Sequence, residues 1–186
     1  MGRLRYGAIA SLDGYIADAD GDFSWATPDV EVHQHVNDIE RSTGTYLYGR
    51  GMYEVMRYWA DPPGLADEPV VVQDYARIWQ GAEKVVYSAT LDRVDTPATR
   101  LARVFDADSV RTIVAGAERD VSIAGPTLAA HALRAGVVDE VVLYVCPVVV
   151  GSGTRWLPAD LTVELALRDV HRFTSGTVFL RYDVRH

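Results

Sequence analysis

Two glycine-containing segments have the composition of phosphate-binding turns, each between a predicted strand and a predicted helix. The first N–H groups of a helix have no partner within the helix and lie at the positive end of its dipole, so they bind anions. Glycine lets a ligand approach the backbone closely, and the guanidinium of Arg50 can hold a phosphate through two hydrogen bonds. Taken alone, either segment is more typical of an ordinary turn. The residues concerned are Gly49, Arg50, Gly51, Ala124, Gly125, Pro126, Thr127 and Leu128.

Other patterns that would carry chemistry are missing from the sequence. It has neither a G-x-x-x-x-G-K-[ST] loop nor a G-x-G-x-x-G segment after a strand. His33 and His35 are two residues apart, on different sides of a helix, with no acidic residue to complete a ligand set, so we expect no metal site. Cys146 is the only cysteine and lies in an apolar run, which predicts a buried thiol.

The charge balance argues against two classes of partner. The chain has 26 acidic and 18 basic residues, for a formal charge of −8. Nucleic acids and anionic membrane surfaces both require a basic patch, so we expect neither as a partner. We also expect a cytoplasmic protein, because no signal peptide and no apolar run of about 18 residues is present.

Strands and helices alternate along the chain. Strands are predicted at residues 4–10, 45–48, 84–88, 101–105, 121–124 and 140–150, with a long loop at 11–25. Helices are predicted from a cap at Asp29 to about residue 41, and at residues 52–59, 70–80, 109–115 and 126–135. Residues 163–170 and 177–184 alternate around a short turn and predict an antiparallel hairpin. The pattern indicates one α/β domain over residues 1–186, with a mostly parallel central sheet that ends in this hairpin.

An ordered set of short motifs resembles a known superfamily. The set covers nearly the whole chain and resembles the dihydrofolate-reductase-like superfamily. Its closest likeness is to the C-terminal reductase domain of the bifunctional riboflavin-biosynthesis deaminase-reductase. The motifs are SLDGYIA at residues 11–17, YGR at 48–50, KVVYS at 84–88, IAGPTL at 123–128, GVVDE at 136–140 and PVVVGSG at 147–153.

The resemblance implies a three-layer reductase fold that binds NADPH and forms a homodimer, with residues 147–153 as a possible contact. It implies that Gly49 and Arg50 bind the cofactor's diphosphate and 2′-phosphate, and that Ser88 lies beside its adenosine. The segment from Gly125 to Leu128 would make the second phosphate contact. Ala8, Ile16 and the loop as far as Trp25 would flank the nicotinamide.

Two departures from the family pattern lead to separate expectations. The family's usual paired glycine reads Ala124-Gly125 here, and we predict that this peptide is still cis, as it is in dihydrofolate reductases. Pro126 removes one N–H group that could otherwise meet a phosphate. Tyr15 stands where riboflavin-pathway reductases tend to carry lysine, and no H-x-E with P-C-x-x-C marks a deaminase half.

Three residues are candidates for the substrate side of the site. Asp29 either caps its helix or binds the substrate, and Asp13 is either a turn residue or a polar group at the pocket rim. Trp25 lies in the long loop, where packing into the core explains an aromatic side chain less well. These features predict an NADPH-dependent reductase that acts on a small pterin-like or pyrimidine-like ring. The alternatives are a non-catalytic nucleotide- or ligand-binding protein and a 5-amino-6-(5-phosphoribosylamino)uracil reductase.

Overall fold

An eight-stranded sheet runs through the protein, which a computed structural model describes over residues 2–186. The strand order is β5-β4-β3-β6-β1-β7-β10-β9. The first six strands in that order are parallel, whereas β10 is antiparallel to β7 and to β9. The strands are β1 Leu4–Ser11, β3 Thr43–Gly49, β4 Glu83–Tyr87, β5 Thr99–Ala102, β6 Asp120–Ala124, β7 Glu140–Cys146, β9 Glu164–Arg172 and β10 Val178–Arg185.

Five α-helices cover the two faces of the sheet. Side chains alternate between the faces along β3. Tyr46 and Tyr48 pack with Trp79 of α3, while Leu47 packs with Leu128 and Leu133 of α5 on the opposite face. The result is the predicted three-layer α/β arrangement. No helix within residues 2–186 is long and apolar enough to cross a bilayer. The helices are α1 Val30–Glu40, α2 Arg50–Met56, α3 Val70–Gln80, α4 Ala107–Gly116 and α5 Pro126–Arg134.

A row of polar residues crosses the sheet beneath α1 and α3. Glu140, Arg5, Ser122, Tyr46 and Lys84 are neighbours in register on five successive strands, and all five are buried. The guanidinium of Arg5 lies 3.9 Å from the Glu140 carboxylate. Because a one-residue slip would move these groups to the other face, the row fixes the register of the parallel strands.

Lys84 is the only lysine in the sequence and is buried to 1% exposure. Its Nζ donates hydrogen bonds to the carbonyl oxygens of Trp79 at 3.2 Å and Ala82 at 2.9 Å, and it lies 4.1 Å from the centre of a Trp79 ring. The ammonium therefore bonds one carbonyl group in the last turn of α3 and one in the turn that follows it.

Several element boundaries differ from those predicted. The loop at residues 11–25 contains a short strand, β2 Tyr15–Ala17, which pairs with an unpredicted strand, β8 Thr154–Arg155. The strand predicted at 140–150 ends at Cys146, because Pro147 has no N–H group to continue the ladder. The helix predicted at 52–59 ends at Met56 and continues as a 3₁₀ turn, Arg57–Ala60.

The predicted cis peptide between Ala124 and Gly125 is wrong. Every peptide bond within residues 2–186 is trans. The chain turns at Gly125, which has a φ of +92° that only glycine adopts without strain. A Cβ atom at this position would lie 3.2 Å from the Cβ of Met52, so the close approach of α2 also requires glycine.

Candidate functional site

A cleft of about 980 Å³ opens at the carboxyl ends of the parallel strands. It lies between the amino ends of α2 and α5, which cover opposite faces of the sheet. In open α/β sheets, ligands bind at this edge. The cleft brings together every residue that the sequence indicated for cofactor binding. These residues are Ala8, Ile16, Gly49, Arg50, Gly51, Ser88, Ala124, Gly125, Pro126, Thr127 and Leu128.

The amino ends of α2 and α5 present backbone donors to this cleft. The N-cap residues are Gly49 and Gly125, and within the described residues neither helix has a side-chain hydrogen bond at its cap. A Cβ atom at Gly51 would have no heavy atom within 4 Å, so open space remains beside this backbone. Pro126 contributes no N–H, so Thr127 and Leu128 supply the first donors of α5. The arrangement can hold an anionic group between the two helices.

Two arginines line the end of the cleft near β4 and β5. Nη1 of Arg50 donates to Oγ1 of Thr90 at 3.2 Å, and its Nε is paired with Glu54 at 2.7 Å. Nη1 of Arg103 donates to the carbonyl oxygen of Leu91 at 2.5 Å. Both side chains therefore attach to the segment that follows β4. Arg103 was not predicted as a site residue, because it lay inside the strand predicted at residues 101–105.

Three aromatic rings line the same end. The rings of Phe105 and His131 are stacked with centroids 5.7 Å apart, and Tyr87 lies 5.8 Å from Phe105. Together they can form an apolar wall for a flat ring. No sequence pattern predicted this wall, because the three residues lie on three separate segments of the chain.

Apolar side chains form the opposite end of the cleft, near β1. Ile9 lies at the end of β1, Phe23 and Pro28 belong to the loop before α1, and Met52 and Val55 lie on α2. The ribbon of β2 and β8 closes one side through Ile16, Ala17 and Thr154. Phe23 was not predicted, because a single aromatic residue in a long loop has no periodic neighbours to mark its role.

A smaller cavity of about 260 Å³ adjoins the cleft. The two share Ile9, Ala26, Thr27 and Pro28 as lining residues. The smaller one also contains two of the predicted substrate-side residues, Trp25 and Asp29, and it is completed by Val32, Cys146, Pro147, Ser175 and Thr177.

Asp29 has a structural contact in this cavity. Its Oδ1 accepts a hydrogen bond from the N–H of Val32 at 2.9 Å, which makes it the N-cap of α1. This bond, together with the Ser175 hydroxyl, lowers the pKa of Asp29. The side chain is therefore a carboxylate at neutral pH. Trp25 is held by a bond from its Nε1 to the carbonyl oxygen of Asp22 at 3.2 Å.

Asp13, the third substrate-side candidate, lines neither cavity. It belongs to a turn in which the N–H of Gly14 bonds to the carbonyl oxygen of Ser11 at 3.0 Å. Its carboxylate also accepts hydrogen bonds from the N–H groups of Val150 and Gly151. The Ser11 hydroxyl and these two backbone groups lower the pKa of Asp13. The carboxylate thus ties the turn to the segment after β7.

Solved structures of several proteins share this fold, and three of them illustrate the likeness. The putative riboflavin biosynthesis protein from Shewanella sp. PV-4 is 17% identical, with a TM-score of 0.78 and coverage of 99% of both chains. A diaminohydroxyphosphoribosylaminopyrimidine deaminase/5-amino-6-(5-phosphoribosylamino)uracil reductase from Thermotoga maritima is 15% identical, with a TM-score of 0.67 over 99% of this chain and 57% of that one. A dihydrofolate reductase from Enterococcus faecalis, complexed with NADP(H), is 12% identical, with a TM-score of 0.63 over 100% and 98%.

These likenesses confirm the dihydrofolate-reductase-like fold that the motifs indicated, and two of the three neighbours are reductases by name. A family model described as the RibD C-terminal domain matches residues 3–180. Since this match leaves out only a few residues at either end, the chain belongs to the family of the RibD C-terminal domain.

Proposed function

We propose that the protein is an NADPH-dependent reductase that transfers a hydride to a small pterin-like or pyrimidine-like ring. The observation that carries this proposal is the single cleft in which two uncapped helix starts and two arginines converge. Membership of a reductase-domain family supports the reaction class. The cleft, with two arginines and an aromatic wall at one end and apolar side chains at the other, suits a dinucleotide with a substrate beside it.

The residues present fit such a cofactor. Gly51 leaves open space beside the backbone at the start of α2, and Thr127 and Leu128 offer N–H donors from α5, so this pair of helices suits the diphosphate. Arg50 and Arg103 suit the 2′-phosphate and adenosine end. When bound, the reduced cofactor supplies a hydride, and one proton completes the reduction of the substrate.

On the substrate side, the residues of the chain mainly position the substrate ring and shield it from water. Ile9, Phe23 and Val55 form an apolar wall that excludes water from the reacting ring. The Asp29 carboxylate, which is ionised at neutral pH, accepts hydrogen bonds and does not donate a proton. Trp25 closes the side cavity.

The Arg50→Ala variant tests the cofactor assignment. We expect the Kd for NADPH to rise about tenfold or more, because a charge-assisted contact to the 2′-phosphate is lost. The Kd for NADH should change little. Titration with either nucleotide can be followed by tryptophan fluorescence and by the melting temperature.

The Arg57→Ala variant is a matched control, since Arg57 pairs with Asp95 and does not line the cleft. It should leave both nucleotide affinities unchanged. Equal losses of NADPH and NADH affinity in Arg50→Ala would reject the 2′-phosphate contact. Binding of NADPH without turnover of any pterin, pyrimidine or quinone would reject the reductase in favour of a binding protein.

A further inference from the structure

The charges that line the cleft are distributed unevenly. Arg50 and Arg103, which supply its guanidinium groups, both attach to the segment after β4. β5 and β1 are four strands apart in the sheet. At about 4.8 Å per strand, Arg103 lies roughly 19 Å from the end of the cleft at β1. Arg50 begins α2 after β3, two strands or roughly 10 Å from β1, and its guanidinium is directed toward Thr90 beyond β4.

The end near β1 is apolar on several sides. Ile9 and Phe23 lie on the β1 side, Ile16 on the ribbon, and Val55 on α2. The polar side chains there are the hydroxyls of Thr27 and Thr154. Binding at such a surface is favoured by the removal of apolar area from water. The surface offers no groups that would offset the cost of desolvating a phosphate dianion.

The side cavity adds negative charge to this end. Its only charged lining residue in the described chain is Asp29, whose pKa is lowered by the Val32 N–H and the Ser175 hydroxyl. A carboxylate near a phosphate raises the energy of both through like-charge repulsion. The N–H of Val32 is already bonded to Asp29, so this donor of α1 is also taken.

The guanidinium on the ribbon beside the cleft is directed elsewhere. Arg155 lies on β8, next to Thr154, but its side chain stacks over the ring of Tyr15 at 5.3 Å. Neither Arg155 nor Tyr15 lines the cleft. Within residues 2–186, the cations that line the cleft are therefore at the end assigned to the cofactor.

We propose that the substrate is an unphosphorylated ring compound, held by the apolar walls around Ile9, Phe23 and Val55. This inference rests on the proposed function, because that assignment gives the arginine end to the cofactor. It excludes a ribosyl phosphate as a recognition element. It thus sets this chain apart from a reductase that acts on 5-amino-6-(5-phosphoribosylamino)uracil.

The test compares ligands that differ only in a phosphate. The pairs are uridine with uridine 5′-monophosphate, and 5-amino-6-ribosylaminouracil with its 5′-phosphate, together with unphosphorylated pterins and quinones. Binding is measured by calorimetry, without cofactor and with saturating NADPH. We expect the unphosphorylated member of each pair to bind about tenfold more tightly or better. Equal or tighter binding of the phosphorylated members would overturn the proposal, as would failure of every unphosphorylated ring to bind.

A gain-of-function variant adds a second readout. Val55→Lys places a cation in the apolar end and should strengthen binding of the phosphorylated members about fivefold or more. Val70→Lys is the control, because Val70 is 77% exposed at the start of α3 and does not line the cleft. No gain in Val55→Lys, or the same gain in both variants, would count against the proposal. NADPH titration of the wild-type protein separates this result from a failure of the cofactor assignment.

Discussion

Tyr46 and Tyr48 differ in the hydrogen bonding of their hydroxyl groups, so the two side chains should contribute differently to stability. The two rings are buried side by side, with centroids 5.5 Å apart. The hydroxyl of Tyr48 accepts a hydrogen bond from Nε1 of Trp79 at 3.1 Å. The hydroxyl of Tyr46 has no hydrogen-bond partner among the described residues. The two side chains bury similar apolar area but differ in the cost of their polar atom.

Replacing each of these tyrosines with phenylalanine should therefore have different effects. Tyr48→Phe leaves the indole N–H of Trp79 unpaired and should lower the free energy of unfolding by about 1–3 kcal/mol. Tyr46→Phe removes an unpaired hydroxyl and should leave stability unchanged or raise it by up to about 1 kcal/mol. Urea denaturation measures the free energy of unfolding of both variants. An equal loss of stability in the two would contradict the difference in hydrogen bonding between the two hydroxyl groups.

His35 makes stability depend on pH. Its Nδ1 lies 2.8 Å from the Tyr144 hydroxyl, and its ring packs against Phe179. Burial, and after it the nearby His171, lowers the pKa of His35, against the opposing pull of Asp38 and Asp169. The unfolded chain therefore binds a proton at this position more readily than the folded one. The contribution of His35 to the free energy of unfolding is present at neutral pH and is lost as the pH falls below about 6.5.

His35→Asn should make the decline of the unfolding free energy with falling pH less steep. Denaturation curves across this pH range measure the slope. Gln34→Asn is a control on the same helix, since it makes a comparable change without removing a titrating group, and it should keep the wild-type slope. A wild-type slope in His35→Asn would show that other groups cause the acid sensitivity.

At the scale of elements, predictability followed the strength of the local signal. The helix at Val70–Gln80 was predicted to the residue, because its apolar spacing spans three turns and Gly81 follows. The ribbon of β2 and β8 was missed, because elements of two or three residues carry no periodicity. Gly49, Gly125 and Arg50 marked half of the cleft, because glycine at a strand-to-helix junction lets a ligand approach the first N–H groups of the helix and arginine can bind a phosphate. No sequence pattern predicted that the cleft also contains Arg103, Phe105 and His131, because only the assembled sheet brings them together.

The two glycine turns should respond differently to alanine. Gly125→Ala forces a φ of +92° on a residue with a side chain and brings its Cβ to 3.2 Å from Met52, so the unfolding free energy should fall by about 1–2 kcal/mol. Gly51→Ala lies within α2 with no atom in its way and should stabilise the protein by up to about 1 kcal/mol.

The same Gly51→Ala methyl stands in the wall of the cleft, where the diphosphate is proposed to approach. Its affinity for NADPH should therefore fall even as its stability rises. Thermal unfolding and nucleotide titration on one preparation measure the two effects. An unchanged NADPH affinity would show that the cofactor does not approach the start of α2.

At the scale of the whole molecule, two surfaces expose apolar side chains. Leu167 and Val170 on the edge strand β9 are more than half exposed, and their register partners are Tyr182 and Leu180. An edge strand with exposed apolar side chains is prone to association unless it is covered. Val149, in the segment that the sequence indicated as a dimer contact, is also 66% exposed. Both surfaces fit the proposed homodimer.

Sedimentation velocity should therefore show a dimer, which the Val170→Lys variant should convert to a monomer if β9 forms the interface. Val149→Lys tests the other surface in the same way. Val104→Lys is the control, since Val104 is 76% exposed and lies on neither surface. A monomeric wild-type protein would reject the dimer.

The burial of Lys84 beneath α3 has a practical consequence. Because no other residue of the sequence carries a side-chain amine, the folded protein has no accessible lysine. Amine-reactive dyes, cross-linkers and coupling surfaces should then react only at the α-amino terminus. One reagent would label every molecule once and at the same place, and a second label in peptide mass spectra would report unfolding. The protein is thus suited to oriented immobilisation without any engineered tag.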